Sequence, residues 1–317
     1  MTVQLAKLTL AAIDAAIEVD QGGAYRQNLQ KVLPHIGDAY RGEEEGFRSH
    51  LGASVIGGTC TRAIWYGFHW TTKSRFPGRI LRLFNRGHLE EGRLIAALLT
   101  IGCQVYQQDA DGRQYRISDI AGHFGGSGDG VVIGLPDLPP GMPAVTEWKT
   151  HNDASFKALA KSGVREAKFS HFVQMQIYMR KMDIQYSLYG AVNKNDESLH
   201  LEIVRLDEAL ADTFLSRARK VIMLHAAPEK ISNSPGWFEC KFCDHRPVCH
   251  LGAAPERNCR TCKHVEVDAT IGGWHCANEE RRRRMVIGPS EGVSVANELY
   301  VCSKERQSSA CTLYESF

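Results

Sequence analysis

Eight of the ten cysteines in this 317-residue chain fall after residue 239; only Cys60 and Cys103 come earlier. That uneven placement constrains the fold more than any other feature. In a reducing compartment, where disulfides are rare, clustered thiols point to metal binding. A cytoplasmic setting without a membrane partner is expected. The most apolar early stretch, Leu5 to Val19, is broken by Lys7, Asp14 and Glu18, and no run approaches the ~18 apolar residues of a membrane span. Cys240-Lys241-Phe242-Cys243 and then Cys249 give C-x2-C-x5-C, a spacing that lets two or three thiolates grip one metal. The fourth ligand is open between Cys60, His245 and His250. Four thiolates suit a 4Fe–4S cluster or zinc on spacing alone, and a histidine favours zinc. A second set follows in Cys259, Cys262, Cys276, Cys302 and Cys311. Cys259, Cys262, Cys276 and Cys311 are the expected zinc ligands, with Cys302 spare and His264 and His275 as alternatives. Residues 255–317 have few apolar runs, so a structural metal is a plausible stabiliser there. Cys103, in an apolar stretch, reads as a core cysteine.

The rest of the chain has ordinary globular composition, 43% hydrophobic and 23% charged. Wholesale disorder is excluded on that ground. The order of elements predicts an α/β fold. Residues 1–50 read as a polar helical segment, and a long helix is expected from Arg79 to Thr100. Val131–Ile133 and Ala144–Thr146 are β-type runs separated by a strong turn, Leu135-Pro136-Asp137-Leu138-Pro139-Pro140-Gly141; they predict neighbouring antiparallel strands. Helices are expected over 154–162 and 166–182, strands over 186–192 and 199–204, and an amphipathic helix over 206–225. The outcome is a mixed central sheet flanked by helices.

The sharpest pattern is Gly126-Ser127-Gly128-Asp129-Gly130 followed by Glu147-Trp148-Lys149-Thr150. Glu147 and Lys149 are two apart on a strand and share a face. Asp129, on the neighbouring strand, can join them. Two carboxylates make a site for a hard divalent cation such as Mg²⁺ or Mn²⁺, and an adjacent lysine can orient or help deprotonate an attacking water. A surface Glu/Lys pair is the bland alternative for Glu-x-Lys alone, but Val145 and Trp148 mark a well-packed strand. On the long helix, His88 and Glu91 are three apart and share a face; His88 is a candidate further ligand, with Glu91 near it. Gln174 and Tyr178 are four apart on one helical face and are placed to hold Lys149 or contact phosphates.

Taken in order, Gly87-His88, Gly126-x-x-Asp129-Gly130, Glu147-x-Lys149 and Gln174-x-x-x-Tyr178 resemble the PD-(D/E)XK nuclease superfamily in its RecB-like branch. The resemblance implies that His88, Asp129 and Glu147 bind the catalytic metal, that Lys149 assists the water, and that Gln174 and Tyr178 lie near the active site and the DNA. Cys60-Thr61-Arg62 before Trp65-Tyr66, with C-x2-C-x5-C after the core, resembles the AddB-like iron–sulfur nucleases. It implies a structural 4Fe–4S cluster on Cys60, Cys240, Cys243 and Cys249. The tail, with Cys259-x-x-Cys262, Trp274-x-Cys276 and Gln307-x-x-x-Cys311, is similar to an extension on phage-type members. The implied domains are a helical segment at 1–50, a nuclease domain at 51–252 and a zinc-ribbon-like module at 253–317. Gly128 stands where that family usually has proline, and the literal Pro136-Asp137 falls in the turn and reads as a decoy.

The implied activity is a metal-dependent deoxyribonuclease, in particular an exonuclease of recombination, repair or phage DNA processing in a bacterial or phage-infected cell. No G-x-x-x-x-G-K-[ST] phosphate loop is present, so unwinding falls to a recombination or helicase partner or to pre-existing DNA ends. Net charge is only +2, so DNA contact must be local: Arg79, Arg82 and Arg86, then Lys157, Lys161, Arg165 and Lys168, and the Arg281–Arg284 run. The competing classes are a non-catalytic nucleic-acid-binding or scaffold metalloprotein and an iron–sulfur redox protein. The second is disfavoured by the absence of a G-x-G-x-x-G fingerprint.

Overall fold

The computed structural model describes residues 3–40, 47–108, 114–270, 272–277 and 314–317. Cys302, Cys311 and the Arg281–Arg284 run lie outside the described residues. β1 (Gln4–Leu5), α1 (Lys7–Val19) and α2 (Gly23–Val32) open the chain. β2 (Leu51–Gly52), α3 (Ala53–Ile56), α4 (Thr61–Phe68) and the long α5 (Gly78–Thr100) follow. Then come β3 (Gln104–Tyr106), β4 (Arg116–Asp119), β5 (Phe124–Ser127), β6 (Val131–Ile133) and β7 (Pro143–His151). After them run α6 (Asp153–Ala167), α7 (Phe169–Met182), β8 (Tyr186–Asn193), β9 (Leu199–Arg205) and α8 (Glu208–Ile222). The remainder is α9 (Phe238–Lys241), α10 (Arg246–Leu251), β10 (Val265–Asp268) and β11 (Gly273–Cys276). Among the described residues no helix is long and apolar enough to cross a membrane.

The chain forms two compact units that interleave along the sequence: Met1–Glu45, Phe76–Ile117 and Gly126–Leu215 make the first, and Gly46–Arg75, Ser118–Gly125 and Ser216–Phe317 the second. Among the described residues the first holds a six-stranded sheet in the order β1-β9-β8-β7-β6-β3. β6 and β7 pair antiparallel, as the turn between them predicts, while β7 and β8 pair parallel with Glu147 opposite Tyr189. A parallel pair needs a crossover, and α6 with α7 supplies it. The sheet is therefore mixed and flanked by helices.

β7 runs from Pro143 to His151 and carries Glu147 and Lys149 two apart on one face, as expected. Its two faces have different fates. Trp148 joins the apolar core with Leu94, Leu98, Val132, Leu188 and Leu201. A Cβ at Gly190 would stand 2.5 Å from the Trp148 ring, so only glycine on β8 leaves room for the indole. Cys103 sits in the same core, and burial pushes its thiol up to about 11. The opposite face of β7 carries Glu147, Lys149 and His151. Asn152 then ends the strand and caps α6, its side chain accepting the Ser155 N–H at 2.9 Å, a position that Asn favours.

Pro136-Asp137 lies in the turn, as expected. The Asp137 carboxylate accepts Leu8 N–H (3.1 Å), Thr9 N–H (2.7 Å) and the Thr9 hydroxyl (2.7 Å). It caps the start of α1 from a distant part of the sequence.

The second unit is built differently. β2 pairs parallel with β5 at Leu51–Phe124 and Gly52–Gly125. β10 and β11 form an antiparallel hairpin that sets Cys276 opposite Val265. Arg260 lies buried between aromatic rings, its guanidinium carbon 3.8 Å from the Trp70 centroid and 4.4 Å from that of Trp274. It also donates to the carbonyls of Phe68 and Ser49.

Candidate functional site

The end of β7 gathers the residues that the sequence singles out. Glu147 is 1% exposed. Its Oε1 accepts a short hydrogen bond from Lys149 Nζ, and its Oε2 accepts Gln174 Nε2 at 3.0 Å. Lys149 Nζ also donates to the Trp148 carbonyl at 3.1 Å. Asp129 is pinned by backbone: the Trp148 N–H donates to its Oδ2 at 2.9 Å. The β6–β7 ladder passes just before it, with Thr146 N–H donating to the Gly130 carbonyl at 2.9 Å. The Asp129 carboxylate thus takes the next inward donor of β7 where β6 has turned away. Gly130 makes that turn possible, because its φ is +141° and a Cβ there would meet the Tyr106 carbonyl at 2.8 Å. Tyr178 donates to the Ser127 carbonyl at 2.7 Å and its ring lies beside Gly128, fixing the approach to Asp129.

Glu91 also belongs here. It faces Asp129, Lys149 and Glu147 closely enough for their charges to act on it. Burial, then repulsion from Asp129 and Glu147, raises its carboxyl to about 8 against the pull of Lys149. Burial likewise raises Glu147 to about 7, with Lys149 opposing the rise and Asp129 adding to it. Burial disfavours charge on Lys149, but Glu147 and Asp129 outweigh it and hold the ammonium above its ordinary range. The site therefore carries more carboxylates than its one lysine can balance. His88 contacts Glu91, with Nδ1 3.6 Å from Oε1, and its side chain is 42% exposed. His88 therefore sits next to Glu91, while the partners of Asp129 and Glu147 are Trp148 N–H, Lys149 and Gln174.

A hydrogen-bonded cluster beside Lys149 has no counterpart in the sequence reading. His151 Nε2 and His171 Nδ1 each lie 3.0 Å from the Tyr189 hydroxyl, and Ser155 Oγ lies 3.1 Å from His151 Nδ1. Burial first, then the positive charges of Lys149 and Lys168, lower His151 to about 4 and His171 to about 3. The available signal was period two: His151 follows Lys149 on the same face of β7.

Of the expected phosphate-contacting residues, Arg79, Arg82, Lys157 and Lys161 are exposed and Arg165 and Lys168 half-buried. Arg86 is committed to Glu90 and Glu197, Lys157 pairs with Asp153, and Arg165 lies 3.8 Å from Asp207.

In the second unit, Cys60, Cys240, Cys243 and Cys249 line one cavity of about 230 Å³, together with Arg62, His245, Arg246 and His250. The N-terminal end of α4 is held there by Arg217, which donates to the Ile56 carbonyl (2.9 Å) and Thr61 Oγ1 (3.0 Å), and by a Thr59–Glu239 hydrogen bond. Among the fourth-ligand candidates, the structure brings Cys60, His245 and His250 to the same cavity. Burial raises the Cys240 and Cys243 thiols, and their mutual proximity with Cys60 and Cys249 adds to it. In the C-terminal hairpin, Val265 N–H donates to the Cys262 carbonyl (3.1 Å) while Val265 pairs with Cys276, so Cys276 lies beside the Cys259/Cys262 knuckle. Among the described residues no group of three or more His, Cys, Asp or Glu side chains stands arranged as a site for a single metal ion.

No family model matches the sequence, and a search of curated proteins finds no match. Among solved structures the chain is similar to the alkaline exonuclease LHK-Exo from Laribacter hongkongensis. The TM-score is 0.41 at 19% identity, over 56% of this chain and 87% of that one. For LHK-Exo in complex with dAMP the figures are 0.41 and 18%, over 55% and 86%. For SSO0001 they are 0.40 and 16%, over 74% of this chain and 98% of that one.

Proposed function

We propose that the protein is a metal-dependent nuclease that hydrolyses phosphodiester bonds in DNA, acting at ends as an exonuclease in recombination, repair or phage DNA processing. One observation carries the reading: Glu91, Asp129 and Glu147 converge on a single lysine, and burial with mutual repulsion pushes Glu91 and Glu147 well above the usual carboxylate range. Such a site lacks positive charge, and oxygen donors suit a hard cation. Asp129 and Glu147 would hold Mg²⁺ or Mn²⁺, with Glu91 completing the carboxylate set and His88 beside it. A metal so held supplies charge neutralisation at the phosphate and a lower pKa for the attacking water.

The chain's own residues do the rest. Gln174 holds Glu147 Oε2 and so fixes the plane of that carboxylate. Trp148 N–H does the same for Asp129. Lys149, hydrogen-bonded to Glu147, would orient the attacking water or help deprotonate it and stabilise negative charge on the phosphate. Tyr178 anchors the Ser127 backbone ahead of Asp129 and acts as a positioning residue.

The four thiols at the cavity we read as ligands of a 4Fe–4S cluster. The support is that all four thiols line one cavity and keep the order, one cysteine ahead of the core and C-x2-C-x5-C after it, that the resemblance carries. The role of the cluster is to tie Cys60 to the segment around Cys240–Cys249, so that metal binding is folding energy. The zinc-ribbon-like reading of Cys259, Cys262 and Cys276 with Cys311, and the domain scheme 1–50, 51–252 and 253–317, are part of the same proposal.

The test is cleavage of end-labelled single- and double-stranded DNA by anaerobically purified protein in Mg²⁺, Mn²⁺ or EDTA, beside Lys149→Ala. Cleavage that requires both metal and Lys149 is expected, and a ladder from one end marks the exonuclease. Metal-independent cleavage, or full activity in Lys149→Ala, overturns the reading; DNA binding without turnover favours the scaffold class.

A further inference from the structure

The four-thiol cavity has a second feature. Among the described residues, few buried side-chain nitrogens or oxygens lack a hydrogen-bond partner, yet three of them fall within six positions at the start of and along α10: His245 Nδ1, Arg246 Nε and His250 Nε2. All three residues line the cavity that Cys60, Cys240, Cys243 and Cys249 line. A buried polar atom without a partner costs about 1–3 kcal/mol, so native folds seldom leave one, and three around a single cavity call for an occupant.

The chemistry of these atoms limits what the occupant is. The guanidinium Nε carries a hydrogen in every state, and an imidazole carries at least one N–H, charged or neutral. The cavity wall is thus rich in donors and needs acceptors. It is also positive, with Arg62, Lys230 and Arg246 against the one carboxylate of Glu239. Arg62 is already engaged, through Nε to the Tyr66 hydroxyl (3.0 Å) and through its terminal nitrogen to the Pro228 carbonyl (2.5 Å). Glu239 is engaged by Thr59. Arg246 Nε, the Lys230 ammonium and the two imidazoles, each in the tautomer that places its N–H at the unpartnered nitrogen, are the donors left over. The backbone in the same stretch already aims at sulfur: the His245 N–H bonds to the Cys243 thiol.

Resting on the four-thiol reading above, we infer that His245, Arg246 and His250 donate N–H···S hydrogen bonds to the sulfur atoms of an anionic iron–sulfur group, and so set its reduction potential and its endurance in air. Donors to cluster sulfur stabilise the more negative, reduced state and raise the potential. These side chains are positioning and tuning groups for the cluster, with no part in phosphodiester cleavage.

The experiment uses the full chain, produced with iron and purified without oxygen. Iron and acid-labile sulfide are assayed first, then the reduction potential by spectroelectrochemical titration, then the rate of bleaching in air. His250→Leu and Arg246→Lys each remove one donor, the second while keeping the positive charge; His250→Gln restores an N–H at a similar reach. We expect equal amounts of iron and sulfide in all four proteins. The potential should shift to more negative values and bleaching should quicken in His250→Leu and Arg246→Lys, with both returning toward wild type in His250→Gln. Iron and sulfide present but potentials unchanged in both donor-removing variants overturns the inference and leaves the cluster standing. Zinc, or no metal, in the wild type overturns the cluster reading itself. A His250→Leu protein that takes up no iron is answered by Arg246→Lys, whose potential decides alone.

Discussion

The carboxylate–lysine site and the cysteine cavity are both gathered from distant segments, but by opposite means. The first is finished by the protein. Glu147 has partners on both oxygens, Asp129 has a backbone donor, and the strand that carries them is packed on its other face by Trp148. The second is left open: four cysteines line a cavity, and three other residues lining it each carry a buried nitrogen without a partner. A site meant for turnover must keep its shape while substrate comes and goes, so second contacts hold every ligand. A site meant to hold one permanent group can leave its contacts to that group. Under the proposed roles, the contrast predicts that removing a residue harms chemistry in the first region and folding in the second.

The strongest test of that contrast pairs two variants. Lys149→Ala or Asp129→Ala is expected to cut DNA cleavage at least about a hundredfold while circular dichroism and melting stay near wild type. Cys243→Ser should do the reverse, lowering unfolding free energy by on the order of 4 kcal/mol with activity per folded molecule retained. Activity lost and fold kept in Cys243→Ser would break the comparison.

Glu91→Gln against His88→Ala sharpens the first region. Glu91 feels all three charged groups of the site, whereas His88 touches it only through Glu91. Glu91→Gln should raise the Mg²⁺ needed for half-maximal cleavage by about tenfold or more, and His88→Ala by clearly less, as titration with Mg²⁺ would show.

pH separates the regions next. Glu91 and Glu147 stand at about 8 and about 7, above their ordinary 4.5, because they are buried and repelled by neighbouring carboxylates. The folded, metal-free state therefore binds these protons more tightly than the unfolded chain. Their contribution to stability is complete below about pH 4.5 and is lost as pH rises through 7 and then 8. Melting of EDTA-treated protein should fall across that window, and Mg²⁺ should restore it most at the alkaline end, since the metal displaces the protons. Cleavage should rise with pH over the same range. A melting temperature flat from about pH 5 to 8.5 would remove the charge argument for a cation. The smallest effect is expected at Asp137→Ala. Losing the α1 cap should cost about 1 kcal/mol in denaturant unfolding and leave cleavage unchanged, which also marks Asp137 as no part of the site.

Much of the first region was legible because its signals are local. Glu147 and Lys149 are two apart on a strand, Gln174 and Tyr178 four apart on a helix, and Gly130 announces a turn only glycine can make. The turn around Pro136-Asp137 correctly separated β6 from β7, though the service of Asp137 to α1 was invisible across 128 positions. Glu91 was seen as a neighbour of His88 and not as the nearer group to the cluster, since rotation of α5 against β7 is decided by tertiary packing. Tyr189 was missed for a similar reason: its hydroxyl meets His151 of β7 and His171 of α7 through tertiary packing, which no stretch of sequence encodes alone. The interleaving of the two units has no local signal either.

That interleaving bears on how the protein is made. The clasp between Thr59 and Glu239 spans 180 positions, and Cys60 with its later companions spans a similar stretch. At about 5–20 residues per second, Cys60 leaves the ribosome on the order of 10 s or more before Cys240 exists. During synthesis its thiol waits without the other walls of the cavity, and whatever the four thiols hold can be loaded only after Cys249 has emerged. The closing step of biogenesis is then a joining of early and late chain.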